Sequence, residues 1–183
     1  KKQKNTFYYL CQAMAYQAAA YSDKRVSVKF NDEAVPVKSL QDYAELFCDA
    51  AELVSFTLKG EGATKDEPWE VCLGVSHTGV FQHQTLVNGI YIRGGGDHVT
   101  LLESKIVNEL KERAQKMLNA GQSKTNQKRF NKNMIMNHVF LFMRGEVRDP
   151  DFDGQRKDQR RKPIKELTGY EFPAAKMTKF WGT

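Results

Sequence analysis

An α/β (α+β) domain built on one sheet packed with helices is the fold this sequence predicts, and three patterns predict it. Apolar residues recur at three- and four-residue spacing through two long stretches, 5–21 and 98–119. Short runs that alternate apolar and polar side chains lie between them. Residues 137–147 are apolar enough for a central strand. Four or more strands with helices inserted between them pack most simply as one sheet with helices mainly on one face.

In the first helix, residues 5–21, Phe7, Leu10, Cys11, Met14, Ala18 and Tyr21 recur on one side and Asn5 can cap the start. At 26–30, Val26, Val28 and Phe30 point one way and Ser27 and Lys29 the other, which reads as a strand with one wet face. Asn31, Asp32 and Glu33 turn the chain into a short return edge at 35–37, where Pro36 is tolerable. Ser39 then caps a helix expected to run to about Ala51, with Leu40, Tyr43, Ala44 and Phe47 inward. A strand at 54–59 is followed by a loop with Gly60, Gly62 and Pro68. Trp69, Val71, Leu73 and Val75 share a face of the next strand, and Gly79 is expected to turn it into a hairpin with 81–87. Beyond Gly94, Gly95 and Gly96, the residues Val99, Leu102, Ile106, Leu110, Ala114 and Met117 stack along one side of a long helix. Residues 121–133 are polar and basic, 149–163 form a charged loop, and 164–181 are weakly helical, interrupted by Pro173.

The 183 residues are 40% apolar and 27% charged. That suffices for a real core without disulfide or metal staples and excludes wholesale disorder. No apolar run has the length of a membrane span, so no membrane partner is expected. A net charge of +6 is compatible with a nucleic-acid partner and does not prove one. Cys11, Cys48 and Cys72 stand in no zinc-site spacing, and an odd count without a framework suits a reducing, intracellular compartment. A chain opening on Lys1, Lys2, Gln3 and Lys4 without Met is expected to be a piece of something longer.

Three segments could carry chemistry. The glycines at 94–96 before a helix start offer exposed N–H groups for a phosphate. A tight strand-to-helix turn capped by Asp97 explains them better, because neither GxGxxG nor the P-loop pattern is present. His98, with no acid or nucleophile nearby, reads as a packed or capping residue. At 149–158, Gln155 and Lys157 are two positions apart, so in an extended loop they point the same way. An amide beside an ammonium could hold a terminal phosphate, although a solvated charged loop is the simpler account. Asp151 and Asp153 lack the later ligands of a calcium loop. At 124–132, Lys124, Lys128, Arg129 and Lys132 suit phosphate-backbone contacts to double-stranded DNA and suit a solvated loop equally well.

Five segments, in order across about 130 residues, resemble the ATPase region of type IIA DNA topoisomerases. Val28 to Lys38 is similar to the family's L-N-G-x-x-I-P-V-K hairpin. Phe81 to Ile90 resembles its Q-x-S-F-V-N-S-I strand, and Gly95 to Val99 its G-G-T-H-V helix entry. Asn137 to Phe142 resembles N-H-x-x-x-F, and Asp149 to Lys157 resembles N-P-x-F-D-S-Q-T-K. Individually these motifs are weak, and their order carries the case. The chain departs from the pattern at Arg156, where the family has threonine, and at Gly154, where it has serine. The match is nearer to eukaryotic-type and viral enzymes than to the bacterial gyrase B subunit, and suggests a divergent, viral or phage member.

The resemblance implies a transducer domain of ribosomal-protein-like fold, with a mixed four-stranded sheet and a left-handed βαβ crossover. Residues 1–22 would be the last helix of an upstream GHKL ATP-binding domain, 23–163 the transducer, and 164–183 a helical segment leading toward the DNA-cleavage core. Gln155 and Lys157 would contact the ATP γ-phosphate, with Lys157 catalytic. Lys124, Lys128, Arg129 and Lys132 match a basic loop directed at DNA. ATP and Mg²⁺ would be bound mainly by the upstream domain, so no metal ligand is expected here. A homodimer closing an ATP-dependent gate would follow, in the cytoplasm or nucleus, of a host cell if the source is viral. The fragment alone is expected to be inactive. Two other readings stand beside it: a nucleic-acid-binding module of the same fold without nucleotide chemistry, and the equivalent domain of another GHKL ATPase such as a mismatch-repair protein.

Overall fold

The computed structural model describes residues 2–58, 69–120 and 130–146. The N-terminal periodicity becomes helix α1 (Lys2–Tyr21), but its apolar side is only partly used. Ala19 and Ala20 are buried in the last turn, whereas Phe7, Tyr9, Leu10 and Met14 stay exposed. Strands β1 (Lys29–Phe30) and β2 (Glu33–Ala34) form a small hairpin on Asn31 and Asp32. Both turn residues have positive φ, 50° and 64°, the left-handed pair that a two-residue hairpin requires and that Asn and Asp tolerate best.

Helix α2 (Leu40–Ala44) starts as expected: the Ser39 hydroxyl accepts from the Asp42 N–H at 3.1 Å. It ends well before Ala51. The Leu46 and Phe47 N–H groups donate to the carbonyls of Tyr43 and Ala44, tightening the chain into three-residue turns that lead into strand β3 (Val54–Leu58). Phe47 consequently sits 47% exposed instead of inward.

Strand β4 (Trp69–Val75) pairs antiparallel with β3, Val54 opposite Leu73 and Leu58 opposite Trp69. Strand β5 (Gln82–Val87) continues into a short β6 (Ile90–Tyr91) through Asn88 and Gly89, both at positive φ. Helix α3 (Asp97–Leu118), a one-turn α4 (Asn133–Met136) and strand β7 (Val139–Gly145) follow in the described residues.

Among the described residues the sheet runs β3-β4-β7-β5-β6, five strands where the resemblance implied four. The expected β4–β5 hairpin does not form, because β7 lies between them, antiparallel to β4 and parallel to β5. The reason is in β7 itself. Val139, Leu141 and Met143 face one side and Phe140 and Phe142 the other, all buried, and a strand with no wet face is stable only in the middle. Parallel pairing of β5 with β7 needs a crossover, which α3 supplies.

Cover lies on both faces, correcting the one-sided packing. Val99, Leu102, Ile106 and Leu110 of α3 join Ile135 and Met136 of α4 over Leu73, Val87, Leu141 and Met143. On the other face the end of α1, the return edge (Val35, Val37) and Leu40, Tyr43 and Ala44 of α2 cover Cys72, Leu86, Phe140 and Phe142. Among the described residues, no helix is long and apolar enough to cross a membrane.

Candidate functional site

Charge enters the centre of this sheet at Arg144, one position before β7 ends. Its cross-strand partner in β4 is Glu70, and the Arg144 Nη2 donates to Glu70 Oε1 at 2.6 Å. The same guanidinium turns to α1, whose last carbonyls have no helical donor left. Nη1 donates to the carbonyls of Ala20 (2.9 Å), Tyr21 (3.1 Å) and Ser22 (3.2 Å). The Arg144 side chain is only 16% exposed.

The two following residues are held as well. The Asn88 N–H donates to the Gly145 carbonyl at 3.1 Å. Trp69 Nε1 donates to the Glu146 carbonyl at 2.9 Å, and the Tyr21 hydroxyl to Glu146 Oε1 at 3.0 Å. Gly145 is needed for this fit, since a Cβ there would lie 2.7 Å from Trp69 Cδ1. The chain thus leaves the sheet from a fixed point, and Gln155 follows Glu146 by nine positions.

Gln155 and Lys157 themselves lie outside the described residues, as do Lys124, Lys128 and Arg129. Lys132, immediately before α4, is described. Its Nζ pairs with Glu103 Oε2 of α3 at 3.0 Å while remaining 56% exposed. Such an exposed pair contributes at most about 1 kcal/mol, so its ammonium stays available to a stronger anion.

The glycine turn is structural in its geometry. Gly95 and Gly96 have φ of 70° and 132°, and Gly96, not Asp97, occupies the N-cap of α3 with no side-chain cap. The expected Asp97 cap is therefore wrong: Asp97 Oδ2 is buried without a hydrogen-bond partner among the described residues. His98 is fully buried, its Nε2 3.0 Å from the Thr85 hydroxyl, which donates to the Ile92 carbonyl. That matches a packed histidine.

His83 packs against Gly95, where a Cβ would lie 3.2 Å from its Nε2. Burial holds its pKa below the ordinary imidazole value, with the nearby Glu103 carboxylate opposing the shift. The folded chain therefore keeps His83 neutral at a pH where the unfolded chain takes up a proton. Its contribution to stability is complete above about pH 6.5 and is lost as pH falls below that value. The unfolding midpoint is expected to drop between about pH 7.5 and 5.5, and to drop less in His83→Gln, which thermal melts at several pH values would check.

Cys48 and Cys72 are free and buried. Burial pushes the Cys72 thiol up to about 11 and raises that of Cys48, so neither is a thiolate nucleophile at neutral pH. Among the described residues no group of three or more His, Cys, Asp and Glu side chains is placed to hold a metal ion. Sequence reasoning missed the contacts of Arg144, Glu70, Tyr21 and Glu146. The available signal was Arg144 itself, the lone charge in an otherwise apolar strand.

Residues 39–163 match the DNA gyrase B family. DNA topoisomerase 2-beta of Mus musculus is 34% identical over 145 residues, 79% of this chain and 8% of that protein. DNA topoisomerase 2 of Arabidopsis thaliana is 30% identical over 151 residues, 81% of this chain and 10% of that protein. The chain thus spans a tenth or less of the curated relatives it matches. The crystal structure of the ATPase region of Saccharomyces cerevisiae topoisomerase II superposes with a TM-score of 0.72 at 22% identity, covering 94% of this chain and 40% of that one. That likeness establishes the fold.

Proposed function

Because this chain belongs to the DNA gyrase B family of type II topoisomerases, we infer that it is the transducer part of an ATP-dependent enzyme that passes one DNA duplex through another. The observation that carries the reading is the fixed exit of β7. A sheet strand tied to α1 through Arg144 and Glu146 leads directly into the segment of Gln155 and Lys157.

On this reading Lys157 places its ammonium where charge develops on the transferring phosphoryl group, and Gln155 gives the γ-phosphate a directional donor. The contact is also a sensor, since holding or losing the γ-phosphate fixes or frees the loop. ATP and its Mg²⁺ would be bound mainly by an upstream GHKL domain, with residues 1–22 as its last helix. The exposed Phe7, Tyr9, Leu10 and Met14 of α1 support that division, because such a patch calls for a covering surface. Residues 23–163 form the transducer and 164–183 lead toward the DNA-cleavage core of the same chain. The working enzyme is a homodimer that closes an ATP-driven gate in an intracellular, reducing compartment. The 183 residues alone are inactive. Lys124, Lys128, Arg129 and Lys132 face the DNA.

ATP hydrolysis by the full-length protein, with and without duplex DNA, tests this. DNA is expected to stimulate the native rate. Neutralising Lys128, Arg129 and Lys132 together is expected to weaken that stimulation and leave the basal rate nearly intact, because phosphate contacts add affinity without chemistry. A native protein that hydrolyses no ATP sinks the reading, and an unchanged DNA response removes the basic loop from it.

A further inference from the structure

We propose that the sheet face beside the first turn of α2 carries a binding site for a small hydroxyl-bearing anion, a sugar phosphate or a hydroxy acid, held by Lys24, Thr57 and Glu70. A cavity of about 270 Å³ opens there between strands β3 and β4, the start of α2 and Lys24. That is room for about nine waters, or a molecule of roughly a dozen non-hydrogen atoms. The cavity and its lining are independent of the transducer reading.

The sheet changes character at this point. On the face that α2 covers, β7 and β5 present Phe140, Phe142 and Leu86 to the core. Val54, Phe56 and Leu58 of β3 turn to the opposite face, so alternation leaves Ser55 and Thr57 on the α2 side. In β4 the same alternation places Glu70 there beside Cys72. Helix α2 ends at Ala44 with Tyr43 against Phe142, so this polar strip faces the cavity instead of a packed helix. A few polar groups converging on a concave space are what fixes a small ligand. The wall is held in place: the Ser55 hydroxyl lies 3.1 Å from Gln41 Oε1 and 3.3 Å from Cys72 Sγ, and Gln41 Nε2 donates to Glu45 Oε1 at 3.0 Å. Glu70 gives Oε1 to Arg144, which leaves Oε2 as a further acceptor. The guanidinium already offsets that carboxylate's charge, so toward a ligand Glu70 acts as a hydroxyl acceptor. Lys24 enters no salt bridge among the described residues and is the uncompensated charge of the cavity. One net positive charge beside a carboxylate oxygen and the Thr57 hydroxyl selects an anion that carries hydroxyl groups over a cation or an apolar molecule.

Isothermal titration calorimetry on the full-length protein, with a non-hydrolysable ATP analogue present at saturation, tests the site with D-ribose 5-phosphate and D-gluconate as probes. At least one of them is expected to bind once per chain. A preference for the first assigns a phosphate ester, and a preference for the second a hydroxy acid. Lys24→Met is expected to weaken that binding about tenfold, the loss of one charge-assisted contact. Thr57→Val, which keeps the side chain's shape, is expected to weaken it about fivefold. Both side chains are exposed, so neither change touches the core. Lys29→Met, an exposed lysine of β1 outside the cavity, is expected to keep the native affinity. D-ribose and inorganic phosphate, each with half of the required chemistry, are expected to bind at least about tenfold more weakly than the better probe. Binding by neither anion overturns the proposal, as does native affinity in Lys24→Met or Thr57→Val. Inorganic phosphate binding as tightly as the probes overturns it too, because charge alone would then account for the contact.

Discussion

Replacing Lys157 by alanine in the full-length protein is expected to slow ATP hydrolysis by about 10²-fold or more, the cost of removing one preorganised charge from a developing phosphoryl oxyanion. The chemistry at a γ-phosphate is mainly positioning and charge neutralisation, so one missing ammonium is felt in the rate. Lys162→Ala removes the same formal charge five positions further on and is expected to leave the rate at the native value. The contrast separates a specific contact from a general change in field, which salt would screen over about 10 Å. A collapse in Lys157 alone places the loop in the active site. Normal hydrolysis in both variants would leave Lys157 a solvated charge and make a nucleic-acid module of this fold the better account.

Phe142→Ala is expected to destabilise the fold by about 3–5 kcal/mol, enough to lower the unfolding midpoint by roughly 10 °C. Phe142 is fully buried at the middle of β7. Its ring stacks on Phe140 at 4.3 Å between centroids and meets Phe47 at 5.7 Å and Tyr43 at 6.4 Å. Truncation therefore opens a cavity between the central strand and α2, at a site where the sheet backbone cannot collapse inward. Phe47→Ala offers the control, because that ring is half exposed and its loss is expected to cost far less. Equal losses in the two variants would place the anchoring of α2 at its exposed end.

Periodicity made the long elements legible. The spacings in 5–21 and 98–119 anticipated α1 and α3 within a few residues, and the apolar run at 137–147 anticipated a central β7. Pairing was not legible in the same way. Gly79 offered a turn between β4 and β5, but which strand lies beside which is decided by burial on both faces, a property of β7 that acts from 60 positions away. The β6 hairpin has a plain local signal in Asn88-Gly89, both at positive φ. Helix α2 is shorter than the apolar spacing through Phe47 predicts, because the chain there is committed to turning into β3. For the site, residue type and spacing at Gln155 and Lys157 suggested a phosphate contact. The tie formed by Arg144 joins residues too distant in sequence for any local pattern to signal.

The position of β7 also sets the order in which this chain can be assembled on a ribosome. The β3–β4 and β5–β6 hairpins are local and close as soon as they emerge, but each half-sheet then waits with an open edge for the strand that joins them. Among the described residues that strand is the last of the seven to be made. Until residue 145 has cleared the exit tunnel, the nascent domain exists as two sticky halves, and a synthesis stall or truncation anywhere before Val139 strands it there, as a client for chaperones.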